Sequence, residues 1–140
     1  MTKAELDRIE SELRIVLPRS YRALMSAFPI PAQAGNCDTD LWDDAGALIE
    51  RNQELRGRKH GPWPADFFFI GDPVSSSGNA VDLRDPAAAV WWVDHCDLSA
   101  RSSGAIAPSF DVWASRYVAD ARADLKLDGI DPDLVSAGSD

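Results

Sequence analysis

The sequence predicts an α+β fold: a small antiparallel sheet of about four strands, with an N-terminal helix pair, a middle helix and a C-terminal helix packed on it. Two observations carry this. Apolar residues recur at helical spacing near both ends of the chain, as in Tyr21, Leu24, Met25, Phe28 and again Phe110, Trp113, Tyr117, Ala121. Between Phe67 and Asp94 the pattern changes to short β-rich runs separated by Gly/Ser-rich and Asp-Pro turns. The 140 residues suit one domain, read as 1–127 and followed by a flexible acidic tail over 128–140.

The elements follow in order. Thr2 and Glu5 fit a capping box, and Leu6, Ile9 and Leu13 form one apolar stripe on a first helix ending before Pro18. Pro18 disfavours helix at Leu17 but suits the first turn of a second helix, which Pro29 and Pro31 stop. Leu17 is expected to wedge between the pair. Residues 32–44 read as a loop with a short edge strand near Leu41, after which Asp43 or Asp44 caps a third helix that stops at Gly57.

The meander comprises Phe67-Phe68-Phe69-Ile70, then a loop bracketed by Gly71-Asp72 and Gly78-Asn79, then Ala80 to Leu83 and Val90-Trp91-Trp92-Val93. Side chains alternate along a strand, so Trp91 and Trp92 must face opposite ways. One is expected in the core under the helices, and the other on the opposite face, where it needs cover or marks a contact surface. Ser109 caps the last helix.

Composition narrows the function classes. The net charge is −9, of which residues 1–60 contribute −1 and residues 61–140 contribute −8. Such a surface repels nucleic acid and anionic lipid and steers basic partners. No apolar run is long enough for a membrane span, and no signal-peptide core precedes the first helix, so a cytoplasmic protein is expected. Cys37 and Cys96 are read as free thiols.

Signatures of chemistry are missing: no His-Glu-x-x-His, no Walker-type phosphate loop, no Cys-x-x-Cys and no Gly-x-Ser-x-Gly. Asp94-His95-Cys96-Asp97 is the one suggestive cluster, but neighbours on a strand point apart and form no dyad. Arg51, Arg56, Arg58, Lys59 and His60 gather near the end of the third helix, where cations complement the helix dipole. No catalytic residue, metal ligand or cofactor is assigned.

The order of motifs resembles the SUKH superfamily, the Smi/Knr-type domains. Four places carry the likeness: the helix running into Leu17-Pro18-Arg19-Ser20-Tyr21; Ile70-Gly71-Asp72 to Gly78-Asn79; Ala80 to Leu83 with Trp91-Trp92-Val93-Asp94-His95; and Ala107-Pro108-Ser109-Phe110-Asp111-Val112-Trp113. They span about residues 5 to 122. The chain departs from the usual pattern in its long Gly57-to-Pro64 linker and in Pro29-Ile30-Pro31, where Gly-Gly is common. The resemblance implies a non-enzymatic domain of the immunity type, binding and neutralising a cognate polymorphic toxin, a nuclease or deaminase. A general regulatory interaction module is the other reading. The charge favours a basic partner. Expected contacts are Asp38, Asp40, Trp42, Asp43 and Asp44 in the first loop, Asp72 in the meander loop, and whichever of Trp91 and Trp92 faces outward.

Overall fold

A computed structural model describes residues 1–28, 40–57, 63–72, 77–94, 105–129 and 131 of the chain. Its elements are α1 (Lys3–Leu13), α2 (Arg19–Ser26), α3 (Ala45–Arg56), β1 (Phe67–Gly71), β2 (Ser77–Asp82), β3 (Val90–Asp94) and α4 (Phe110–Leu127). The sheet is antiparallel in the order β1-β2-β3. The fold is the expected α+β arrangement, with three strands among the described residues. The segment at Leu41 is not assigned as a strand, but Trp42 N–H donates to the Ile70 carbonyl of β1 at 2.8 Å. On the other side, Ala107 forms an isolated bridge to Val90.

Local chemistry explains the helix boundaries. The Thr2 hydroxyl accepts from Glu5 N–H at 3.1 Å and opens α1. Arg14, at φ 56°, closes it in the left-handed conformation. Pro18 stands one residue outside α2, as its N-cap. Of the two acids that might cap α3, Asp44 does so, accepting from Ala47 N–H at 3.0 Å. Ser109 caps α4 through Val112 N–H at 3.1 Å. The predicted stops at Pro29 and Pro31 lie outside the described residues.

The Leu-Pro corner is held by one carboxylate. Glu10 accepts the Leu17 N–H at 2.8 Å and the Arg22 guanidinium at 2.7 Å, and Arg22 also reaches Asp7 at 2.8 Å. Leu17 is buried with Leu6, Ile9, Leu13, Tyr21 and Met25. The helix pair therefore packs as the apolar spacing predicts.

Pairing register assigns the two faces of the sheet. Phe68, Val81 and Val90 are cross-strand partners and share one face, whereas Phe69, Ala80 and Trp91 share the other. The Phe68 ring meets Tyr21 edge-on at 5.3 Å, and Tyr21 meets Phe110 at 5.4 Å, so α2 and α4 lie over this first face. On the second face Phe69 meets Trp42 at 4.8 Å and Trp63 at 6.4 Å. Every residue of β1 is buried. Of the two alternatives for the opposite face, cover or a contact surface, the described residues give cover: the indoles of Trp42, Trp63 and Trp91 lie over it.

The outer edge of β1 is closed too. Asn52, fully buried on α3, donates to the Phe69 carbonyl at 3.1 Å and accepts the Phe69 N–H at 2.8 Å. Trp63 Nε1 donates to the Phe67 carbonyl at 2.9 Å. Arg56 donates to the carbonyls of Leu13 and Phe67, at 3.1 and 3.5 Å. Side chains thereby satisfy the backbone groups that an edge strand would otherwise expose.

Candidate partner surface

β2 begins earlier than the sequence suggests. Gly78 and Asn79, read as the end of a loop, lie inside the strand. Gly78 is required there because a Cβ would come within 2.6 Å of the Phe69 ring. Asn79 pairs with Trp92 on one side and with Gly71 on the other, across an irregularity between Phe69 and Gly71. Its buried side chain donates to the Asp40 carbonyl at 3.2 Å and to Asp40 Oδ1 at 3.3 Å.

Gly71 completes this junction. A Cβ at Gly71 would fall onto the Asp40 carbonyl and within 2.7 Å of Leu41 N, so only glycine lets the segment before α3 lie against β1. Asn79 is thus a hub that joins Asp40 to the end of the sheet, beside Trp92 and next to Asp72. Sequence reasoning missed it, since Gly-Asn between two β-rich runs is an ordinary turn signature.

The structure brings three of the expected contact residues together here: Asp40, Asp72 and Trp92. Asp40 is half-buried, and Asp72 is buried with about 6% of its surface exposed. Trp92 is 36% exposed, the only tryptophan among the large hydrophobics exposed at this level within the described residues. The other expected residues go elsewhere. Trp42 is buried against Phe69, and Asp44 is engaged as the α3 cap. Asp43 is half-buried, and burial pushes its carboxyl pKa up, aided by Asp44 and Glu5. Trp91 is half-buried and packs on Phe67 at 5.8 Å, on the face away from Tyr21. Asp38 lies outside the described residues.

The two tryptophans therefore face opposite ways, but not as expected. Trp92, two residues along from Val90, shares the sheet face that α2 and α4 cover elsewhere, and stays exposed at the end of that face. Trp91 belongs to the indole layer.

The basic cluster near the end of α3 divides similarly. Arg56 is the structural donor described above, and burial lowers its pKa. Arg51 pairs with Glu54 at 2.8 Å and lies over the Phe69 ring at 5.9 Å. Arg58, Lys59, His60, His95, Cys96 and Cys37 lie outside the described residues. Among the described residues no group of three or more His, Cys, Asp or Glu is placed to hold a metal ion, and no helix is long and apolar enough to cross a membrane.

No curated protein is significantly similar to the chain. A family model does match it, over residues 1–116, from α1 through the Ser109-capped start of α4. These are the segments that build the Leu-Pro corner, the closed sheet and the Asn79 junction. The chain belongs to the SMI1/KNR4 family (SUKH-1).

Proposed function

We propose that this protein is a non-enzymatic immunity protein that binds a cognate toxin domain of nuclease or deaminase type in the cytoplasm and blocks it sterically. Membership of the SMI1/KNR4 (SUKH-1) family, a family of immunity type, supports a binding role. The observation that carries the proposal is the exposure of Trp92 beside Asp40 and Asp72, at the acidic end of a sheet that is otherwise closed. A partly exposed indole paired with Asn79, whose amide holds Asp40, suits an apolar anchor on a basic partner, and indoles are over-represented among residues that dominate interfaces. The Asp40 carboxylate at that end would occupy a position that a substrate phosphate takes on a basic toxin. Neither nucleic acid nor a membrane is assigned as a partner.

Co-expression with the toxin domain encoded beside it tests the proposal. Survival should depend on this protein, and Trp92→Ala should weaken the purified complex by about 2 kcal/mol, roughly thirtyfold. Unchanged killing in every such pairing would refute the immunity role. A stable complex insensitive to both Trp92→Ala and Asp40→Lys would instead place the interface elsewhere.

A further inference from the structure

Ser20 and Leu24 of α2 form one wall of a groove of about 670 Å³, and α4 forms the other. The groove changes character along its length. Toward the end of α4 it is lined by two cations, half-buried Arg122 and exposed Lys126. Further in, half-buried Leu24 and Val118 make it apolar. The way α4 stops points to what lies in it. Gly129, at φ 77°, is in the left-handed conformation, and its N–H donates to the Lys126 carbonyl at 3.0 Å. That is one bond of a Schellman stop, in which the residue after the glycine commonly packs back on the last helical turn. Ile130 holds that position.

The sequence that follows matches the groove in order. Ile130 is succeeded by Asp131, Pro132, Asp133, Leu134 and Val135, and no Lys or Arg occurs from there to Asp140. An extended chain advances about 3.3 Å per residue, against 1.5 Å along a helix. Turned back along α4, Asp131 and Asp133 would come within side-chain reach of Lys126 and Arg122, whereas Leu134 and Val135 would fall beside Val118. Acids thus meet the cationic end and aliphatic residues the apolar middle. Length is sufficient: residues 130–140 span up to about 36 Å, and the groove face from Phe110 to Lys126 runs about 24 Å.

We infer that residues 130–135 dock antiparallel along α4 as an intramolecular strap, held by Asp131 and Asp133 on Lys126 and Arg122 and by Leu134 and Val135 in the apolar middle of the groove. The inference stands apart from the toxin reading, because it concerns a different surface and needs no partner protein.

Thiol labelling of the full chain tests it. On a background of Cys37→Ser and Cys96→Ser, Ala119→Cys places a thiol in the groove, and Ala4→Cys places a control on the exposed side of α1. The pair Leu134→Ser and Val135→Ser should release the strap and raise the rate at which neutral iodoacetamide labels position 119 about tenfold. The rate at position 4 should not change. Asp131→Lys with Asp133→Lys sets like charges together and should raise the rate at position 119 about fivefold. Adding Arg122→Asp and Lys126→Asp should return it to within about twofold, the signature of direct coupling. Circular dichroism and thermal melting check that each variant is folded. A rate at position 119 that the serine pair leaves unchanged overturns the inference. So does one that the lysine pair leaves unchanged, since the acids would then hold nothing.

Discussion

Asn52 is fully buried, yet it makes three hydrogen bonds: to the Leu48 carbonyl at 2.8 Å and to both backbone groups of Phe69. Asn52→Ala would strand a buried N–H and a buried carbonyl, and each orphan costs about 1–3 kcal/mol. The expected loss is about 2–4 kcal/mol, read as a lower urea midpoint with unchanged slope. Tyr21 shows the opposite balance. Its hydroxyl is buried with no hydrogen-bond partner among the described residues, and burial pushes the phenol pKa far up. Tyr21→Phe removes a desolvated polar atom and keeps both aromatic contacts, so stability should hold or rise by up to about 1 kcal/mol. The folded Tyr21 pKa lies above its usual 10.0, so wild type loses stability as pH rises past that value. The Phe variant should resist alkaline unfolding better; a loss above about 1.5 kcal/mol at neutral pH would show that the hydroxyl has a partner.

The Leu-Pro corner depends on Glu10 and Arg22, whose side chains are about a quarter exposed. Glu10→Ala leaves the Leu17 N–H without its acceptor and removes one of the two carboxylates on Arg22, for an expected cost of about 1–2 kcal/mol. A double-mutant cycle with Arg22→Met measures the coupling. The corner also sets part of the acid response. Lys3 and then Arg22 hold the Asp7 carboxyl below its usual 3.8, so its contribution is present above that pH and is lost as pH falls through the lower folded value. Asp43 acts oppositely: its raised pKa penalises the folded state once pH rises above about 4, and acid relieves that penalty. Acid titration of Arg22→Met should therefore show a shallower loss of stability below pH 4 than wild type, whereas Asp43→Asn should show a steeper one. Sequence reasoning found the helices of this region because their stripe and caps lie within a few residues of one another. Glu10 escaped it, because its partners are 7 and 12 residues away and meet only once the corner has folded.

Across the whole molecule, the two tryptophans of β3 divide the labour. Trp91 packs on Phe67 and belongs to the layer closing the second face, so Trp91→Ala should cost about 3 kcal/mol. Trp92→Ala should stay within about 1 kcal/mol of wild-type stability, which separates its binding role from the fold; thermal melting of both variants checks the pair. Alternation along the strand showed that the two must differ, but not which faced solvent, because that depends on where Trp42 and Trp63 fold back over Phe69. The α+β class and the meander were legible in hydrophobic period alone. The joining of Asp40, Asp72 and Trp92 was not, because it rests on the Asn79 amide and on a glycine with backbone pressed against it. No periodicity records such a contact.

The sealed edge of β1 also bears on aggregation. Phe67-Phe68-Phe69-Ile70 is uncharged, aromatic and free of proline, the kind of segment that stacks into cross-β fibrils when exposed. In the native state Asn52, Arg56 and Trp63 occupy the groups through which another chain would pair. Two of these three belong to α3, so detachment of that one helix unmasks the edge while the rest of the sheet remains paired. The rate of fibril formation should accordingly follow the local opening of α3 rather than global unfolding. Asn52→Ala should then accelerate thioflavin-positive assembly more than an equally destabilising Leu17→Ala, which loosens the far corner and leaves the seal intact.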